Sequence, residues 1–409
     1  MLKKILLLLI ISFFMMSGIG FAEITLGKVD EFVKFTKNKE YIYLSETQAN
    51  FARITNGYVW ISDIEHVIEK NTGEIFLADG KKPYYLAGDI IPKDCDFELF
   101  PYHYYDKKEE DQLGKKINYK LIIRNISSEE INVEITGMGT TIDWDHYKTW
   151  EGALRGNNKK SLKLKPNERY TVWEENGLKG DLPWSGIVLG KTSGDIWICD
   201  YCYLGEKDPG VEKAEQIPDL AWPPYLLASF TRGTADWNSA KIELFPKNRD
   251  EKNNIKVSSL KDGIYSFAFG FSPGGPITKL CEYKVVQPTF IEDYLTVKDP
   301  VSKFSHVFFG GNYPIMYKFN LPLINDSPKA KTINFYLCSN DKFNVDTICG
   351  IWIQGKMLAC RVPAIIKNQH WKVFSISLKP NETNQLEFIV VPLGSRWGGM
   401  VASLEISSL

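Results

Sequence analysis

The sequence predicts an all-β chain: two antiparallel β-sandwich units of Ig-like type behind a signal peptide, with little helix. Three observations carry that reading. The first residues have the form of a leader. Period-two alternation of apolar and polar residues dominates the rest of the chain. One strand–turn–strand figure recurs, with a pentapeptide beside it spelled identically in both copies.

The leader comes first. Met1-Leu2-Lys3-Lys4 is a short basic start, Ile5 to Met16 is apolar apart from Ser12, and Ser17 to Ala22 is small and weakly polar. Basic start, apolar core and small-residue exit form the secretory pattern, with cleavage after Ala22. The apolar run is short for a spanning helix, which takes about 20 residues; retention as an N-terminal anchor is the alternative. No Cys follows the run closely and no second long apolar segment exists, so residues 1–22 are read as the leader and no membrane span is expected after its removal. The expected location is secreted or cell envelope.

Alternation is clearest at Ile117-Asn118-Tyr119-Lys120-Leu121-Ile122-Ile123-Arg124 and at Ile131, Val133 and Ile135, which interleave with Asn132, Glu134 and Thr136. Such a run buries one face and wets the other. Asn125-Ile126-Ser127-Ser128 between them reads as a turn. The figure returns as Tyr317, Phe319, Leu321 and Leu323, then the turn Asn325-Asp326-Ser327-Pro328, then Ile333, Phe335 and Leu337. Pro322 has no N–H to give a ladder and points to an edge or a bulge. After each copy the same five residues follow, Leu164-Lys165-Pro166-Asn167-Glu168 and Leu378-Lys379-Pro380-Asn381-Glu382, each between apolar runs. A repeated sandwich unit is one reading; chance likeness among alternating strands with Asn and Pro turns is the other. The N-x-[ST] triplets at Asn125, Asn325 and Asn381 are read as turn chemistry.

Helical periodicity is scarce; Asp145 to Leu154 reads as two or three turns ending near Gly156. Pro288 and Pro300 flank an extended stretch, which divides the chain into a larger β-sandwich domain at 23–285 with an N-terminal meander, a connector at 286–304 and a smaller C-terminal β-sandwich domain at 305–409.

With these residues in view, the chain resembles an exported bacterial β-sandwich family known only as a domain of unknown function. Gly310-Gly311-Asn312-Tyr313 running into Met316–Leu337 is similar to that family's GNYG-like signature followed by a strand, an Asn-x-Ser turn and a second strand. Asn118 to Thr140 is similar to its first-half segment. Pro314 departs from the pattern, standing where the family usually has Gly. The resemblance implies exported sandwiches, sometimes alongside cell-wall modules, and brings no catalytic residues.

Composition excludes more than it assigns. The formal net charge is −1, and losing Lys3 and Lys4 with the leader makes it more negative, against a nucleic-acid binder. There is no P-loop, no H-E-x-x-H, no G-x-S-x-G and no G-x-G-x-x-G after a strand; Gly137-Met138-Gly139 lacks its third glycine. The seven Cys cannot all pair within one chain; Cys338, Cys349 and Cys360 lie close enough in sequence to supply one bridge. Cys199-Asp200-Tyr201-Cys202 falls on a predicted strand, where residues three apart face opposite sides and share neither metal nor disulfide. No cofactor is expected. His103, between Tyr102 and Tyr104, is read as a strand residue.

Asp143-Trp144-Asp145-His146 through Trp150 and Glu151 is the most chemically loaded segment. On a helix starting at Asp143, His146 and Trp150 share a face, so Asp143, Asp145, His146 and Trp150 are the candidate ligand-binding residues, for a sugar or a cation. The plainer reading has Asp143 or Asp145 capping the helix and Trp144 packed under it. Of the 11 Trp, Trp222, Trp237 and Trp397 stand in polar or Pro/Gly surroundings and are expected at the surface. The function expected is a non-catalytic exported or cell-envelope protein with an adhesion, wall-association or scaffold role. The alternative is a carbohydrate-binding protein or a glycoside hydrolase acting on extracellular or wall polysaccharide. The partners implied are cell-wall or extracellular polysaccharide or another surface protein, and no nucleic acid.

Overall fold

The computed structural model describes residues 22–36, 41–64, 77–78, 84–104, 117–208, 210–211, 215–216, 230–270, 295–298, 307–309, 314–340, 346–394 and 399–409. Met1 to Phe21, Gly310–Tyr313, Cys281, Trp222 and Trp397 lie outside them. Nearly every element is a strand, as the alternation predicted. Ile131–Ile142 shows the pattern plainly: Ile131, Val133 and Ile135 are buried while Asn132 and Glu134 are exposed.

Four large sheets surround the two largest buried clusters. Sheet I runs in the order Lys160–Leu164, Ile131–Ile142, Trp184–Thr192, Cys95–His103, Gly57–Ile64, Phe230–Ala235. Sheet II runs Arg169–Leu178, Ile117–Asn125, Ile196–Leu204, Leu77–Ala78, with Ala87–Ile91 also on Ile196–Leu204. Trp60, Phe97, Val133 and Val188 from sheet I and Tyr119, Leu121, Trp173 and Ile198 from sheet II belong to one buried cluster. Sheet III runs Lys356–Val362, Thr347–Ile353, Thr383–Gly394, Met316–Ile324, Ser239–Leu244, Ala49–Arg53. Sheet IV runs Ile24–Leu26, His370–Leu378, Lys331–Ser339, Met400–Ser408, Gly263–Phe269, Tyr41–Tyr43. Their shared core is aromatic at its centre: Phe319 stacks on Phe388 at 4.8 Å and Phe335 on Phe374 at 5.2 Å.

Two features of the strand pairing stand out. The sheets are mixed, not antiparallel throughout. Gly57–Ile64 runs parallel to Cys95–His103, Ser239–Leu244 to Met316–Ile324, and Tyr41–Tyr43 to Gly263–Phe269. Parallel neighbours cannot be joined by tight hairpins, and each of these pairs is brought together across a long stretch of chain. Sheet pairing also crosses the expected division at 286–304. Ile24–Leu26 pairs with His370–Leu378, Ser239–Leu244 with Met316–Ile324, and Gly263–Phe269 with Met400–Ser408. Sheets III and IV therefore draw strands from both sides of it. Residues 57–235 of sheets I and II leave and re-enter the chain at one place: Arg53 lies opposite Ala240, and Ile54 N–H donates to the Ser239 carbonyl at 2.9 Å. Inside the expected connector, Leu295–Val297 pairs with Val307–Phe309.

The one α-helix among the described residues is Tyr147–Arg155. It ends where expected, on Gly156 in the left-handed region (φ 71°), with Gly156 N–H donating to Ala153 and Asn157 N–H to Gly152. Its start differs: His146 is the N-cap and no side chain caps it, so neither Asp143 nor Asp145 holds that role. The helix lies flat on sheet I because Gly137 and Gly139 have no side chain; a Cβ on either would stand 2.0 Å from a helix carbonyl oxygen, of Ala153 and Thr149 respectively. Trp150 and Ala153 of the helix join Ile187 of sheet I and Met316, Val391 and Leu393 of sheet III in one cluster, so the helix is a wedge between sheets I and III.

The six described cysteines are buried thiols. Cys349 and Cys360, expected with Cys338 to supply a bridge, stand opposite each other on neighbouring strands as thiols. Cys199 and Cys202 face opposite sides of their strand, as predicted: Cys202 enters the core of sheets I and II, and Cys199 packs with Ile122, Tyr201 and Tyr203.

Candidate functional site

Where Ile131–Ile142 runs out, the chain turns through Asp143–His146 before the helix begins. The turn is fastened locally. Asp143 Oδ1 accepts the Trp144 N–H at 2.6 Å, and Lys148 Nζ lies 3.4 Å from Asp143 Oδ2 and 2.8 Å from Asp145 Oδ2. Both carboxylates stand at the positive end of the helix, where negative charge is favoured. The Trp144 N–H, helped by Lys148, holds the Asp143 carboxyl below its ordinary range.

His146 is half-buried, with Nδ1 3.1 Å from Ser185 Oγ. Burial pushes its imidazole down to about 4, against the opposing pull of Asp143 and Asp145. At neutral pH it is an uncharged hydrogen-bonding group.

Trp150 does not belong with these three. It is 2% exposed and packs between sheets I and III. The helix begins at Tyr147 and not at Asp143: Trp150 and Ala153 face the sheets, and Trp144 falls before the first turn. Trp144, expected beneath the helix, is 54% exposed. Its ring lies 5.8 Å from that of Tyr104 and 6.4 Å from His146, and His146 lies 5.2 Å from Tyr102. Tyr104 sits just past Cys95–His103, and its hydroxyl is 3.5 Å from Asp181 Oδ1. The result is a surface strip, Tyr104–Trp144–His146–Tyr102, edged by Asp143, Asp145 and Asp181. An exposed indole with a neighbouring phenol can cover the apolar face of a sugar ring, and carboxylates and imidazole can bond its hydroxyls. Trp237, expected at the surface, is 2% exposed; it meets Phe51 edge-on at 6.0 Å with Arg53 over its ring at 4.9 Å.

A second constellation was not found from sequence. Asp200 is fully buried between sheets I and II. Its Oδ1 accepts Ser62 Oγ and the Ala87 N–H, each at 3.0 Å; its Oδ2 accepts Tyr119 OH at 3.2 Å and lies 2.7 Å from His103 Nε2. His103 is a strand residue, as read. The signal was present: Asp200 has the inward parity of Ile198 and Cys202 in an otherwise apolar strand. Ser62 donates to the carboxylate and not to the imidazole, and both it and His103 are 0% exposed. A nucleophile–base pair needs contact between those two groups and access for substrate. The cluster ties the two sheets together.

Among the described residues no group of three His, Cys, Asp or Glu side chains is placed to hold a metal ion, and no helix is long and apolar enough to cross a membrane.

No family model and no curated protein matches the chain. Solved structures with some likeness include tandem CBM51 modules of a family 98 glycoside hydrolase from Streptococcus pneumoniae SP3-BS71 (10% identity, covering 94% of this chain and 99% of that one, TM-score 0.18). They also include the PBSX exported protein XepA (10%, 79% and 85%, TM-score 0.15) and TmCBM61 in complex with beta-1,4-galactotriose (13%, 29% and 69%, TM-score 0.15).

Proposed function

We propose that the chain is a non-catalytic exported protein that holds extracellular or cell-wall polysaccharide on the Tyr104–Trp144–His146–Tyr102 strip. The observation that supports this is Trp144, a large aromatic 54% exposed beside a second ring and hydrogen-bonding groups. A bare indole costs solvation unless something covers it. The carboxylates beside it suit binding more than bond cleavage. A glycosidase's general acid needs its pKa raised, whereas Asp143 is held low and shares Lys148 with Asp145. Export rests on the leader pattern and predicts a mature chain beginning at Glu23, read by N-terminal sequencing of secreted material.

The test is a wall-polysaccharide pull-down and titration with Trp144→Ala and Tyr104→Ala. Losing one stacked ring should weaken binding about tenfold, roughly 1.4 kcal/mol, at an unchanged melting temperature. Glycan binding untouched by both variants would remove the strip from the function. Capture of a surface protein in its place would favour an adhesion scaffold.

A further inference from the structure

We propose that the strip selects uncharged glycans and turns away polyanionic ones such as polyuronates; this rests on the strip being a glycan site. Three carboxylates edge the aromatic rings: Asp143, Asp145 and Asp181. Lys148, the cation that faces them, is already engaged by both Asp143 and Asp145. The other basic side chain on the helix is turned elsewhere, with Arg155 Nη2 2.6 Å from Glu151 Oε1. His146 adds no positive charge at neutral pH, because burial keeps its imidazole unprotonated.

A uronate carboxylate placed over Trp144 would meet two carboxylates, Asp143 and Asp145, that share the single ammonium of Lys148, and Arg155, the other cation of the helix, is held by Glu151. A neutral pyranose meets none of that repulsion, and its hydroxyls find acceptors in the same carboxylates. The discrimination is electrostatic at an exposed site, so it should weaken with salt, since the screening length falls from about 30 Å at 0.01 M to about 3 Å at 1 M. Stacking on Trp144 should change little over that range.

The experiment titrates the full chain with galactan, xylan and polygalacturonate at low and high salt, with melting temperature recorded alongside. At low salt at least one neutral polymer should bind about tenfold or more tightly than polygalacturonate, a gap of roughly 1.4 kcal/mol, and the gap should close as salt rises. Asp143→Asn/Asp145→Asn/Asp181→Asn should gain affinity for polygalacturonate. Polygalacturonate binding as tightly as the neutral polymers at low salt, lost in Trp144→Ala, would overturn the charge selection and leave the glycan site standing. No binding of any polymer would overturn the site and the selection together. A gap indifferent to salt and to the triple variant would also overturn the selection.

Discussion

Asn325 repeats at the end of a sheet III strand, bond for bond, what Asn125 does at the end of a sheet II strand. The Asn125 side-chain amide donates to the carbonyls of Glu129 and Leu164, both at 2.8 Å; that of Asn325 donates to Lys329 at 2.8 Å and Leu378 at 2.9 Å. The Asn125 carbonyl accepts the Asn167 N–H, and the Asn325 carbonyl accepts the Asn381 N–H. Asn167 and Asn381 adopt φ of 61° and 62°, and Glu168 and Glu382 each accept the N–H of the Lys three residues before. The recurring pentapeptide is thus one turn built twice, clasped each time by an Asn at the end of a neighbouring strand. Between the clasped strands each copy carries an insertion: the helix Tyr147–Arg155 in one, the hairpin Thr347–Val362 in the other. These pack on each other, with Trp150 and Ala153 in the same cluster as Ile348, Met357 and Ala359.

Asn125→Ala and Asn325→Ala should each destabilise by about 1–3 kcal/mol, because each strands two carbonyls that lose their donor. The two sites share no partner, so the double variant should lose the sum. Urea denaturation measures this; a neutral result at either position would show that the clasp is not holding its corner.

The meeting of Ile54 with Ser239 at 2.9 Å makes residues 57–235 an insertion between paired strands. Replacing 56–237 by a two-residue Asn-Gly turn, which suits a hairpin, should leave a product that melts cooperatively. A fragment of 305–409 alone should not, since it lacks the partners supplied by Ile24–Leu26, Ser239–Leu244 and Gly263–Phe269. Circular dichroism with thermal melting separates the two; a cooperative 305–409 fragment would show that these strands are dispensable.

Local patterns were legible and distant partnerships were not. Ile131, Val133 and Ile135 announced a half-buried strand, and Gly156 announced the helix end. Nothing in Gly57–Ile64 marks Cys95–His103 as a parallel neighbour, because side-chain alternation records which face is buried and not which strand lies beside it. Trp144 and Trp150 show a finer limit. Both are aromatic and six positions apart, which on one helix sets them about 120° from each other, and helical spacing alone does not say which of the two faces the sheet.

Trp150 and Trp144 should therefore answer oppositely to the same change. Trp150→Ala empties a site closed between the helix and two sheets and should cost about 3–5 kcal/mol. Trp144→Ala should stay within about 0.5 kcal/mol. Gly139→Ala should resemble Trp150→Ala more than Trp144→Ala, at about 1–3 kcal/mol, since its Cβ would be driven against the Thr149 carbonyl. Equal losses for the two tryptophans would contradict a buried Trp150 beside an exposed Trp144.

Two histidines set an acid limit on stability. Burial lowers His146 to about 4 and His370, stacked on Phe35 at 3.8 Å, to about 3. Unfolded, both take a proton near the ordinary value of about 6.5. Between those limits the unfolded chain binds more protons than the folded one, so acidification favours unfolding. Their contribution is fully present above pH ~6.5 and drains away as pH falls toward 4 and then 3. Carboxylates such as Asp143 and Asp262, held low in the folded chain, add their own loss only at the acid end of that range. The melting temperature measured from pH 7.5 down to pH 4.5 should fall for the native sequence and fall less steeply for His146→Gln and His370→Gln. The slope and not the absolute melt is the readout, because removing a stacked, buried imidazole at position 370 destabilises at every pH. Curves for native and variant chains that stay parallel across pH 6.5 to 4.5 would mean that neither histidine is kept neutral by the fold.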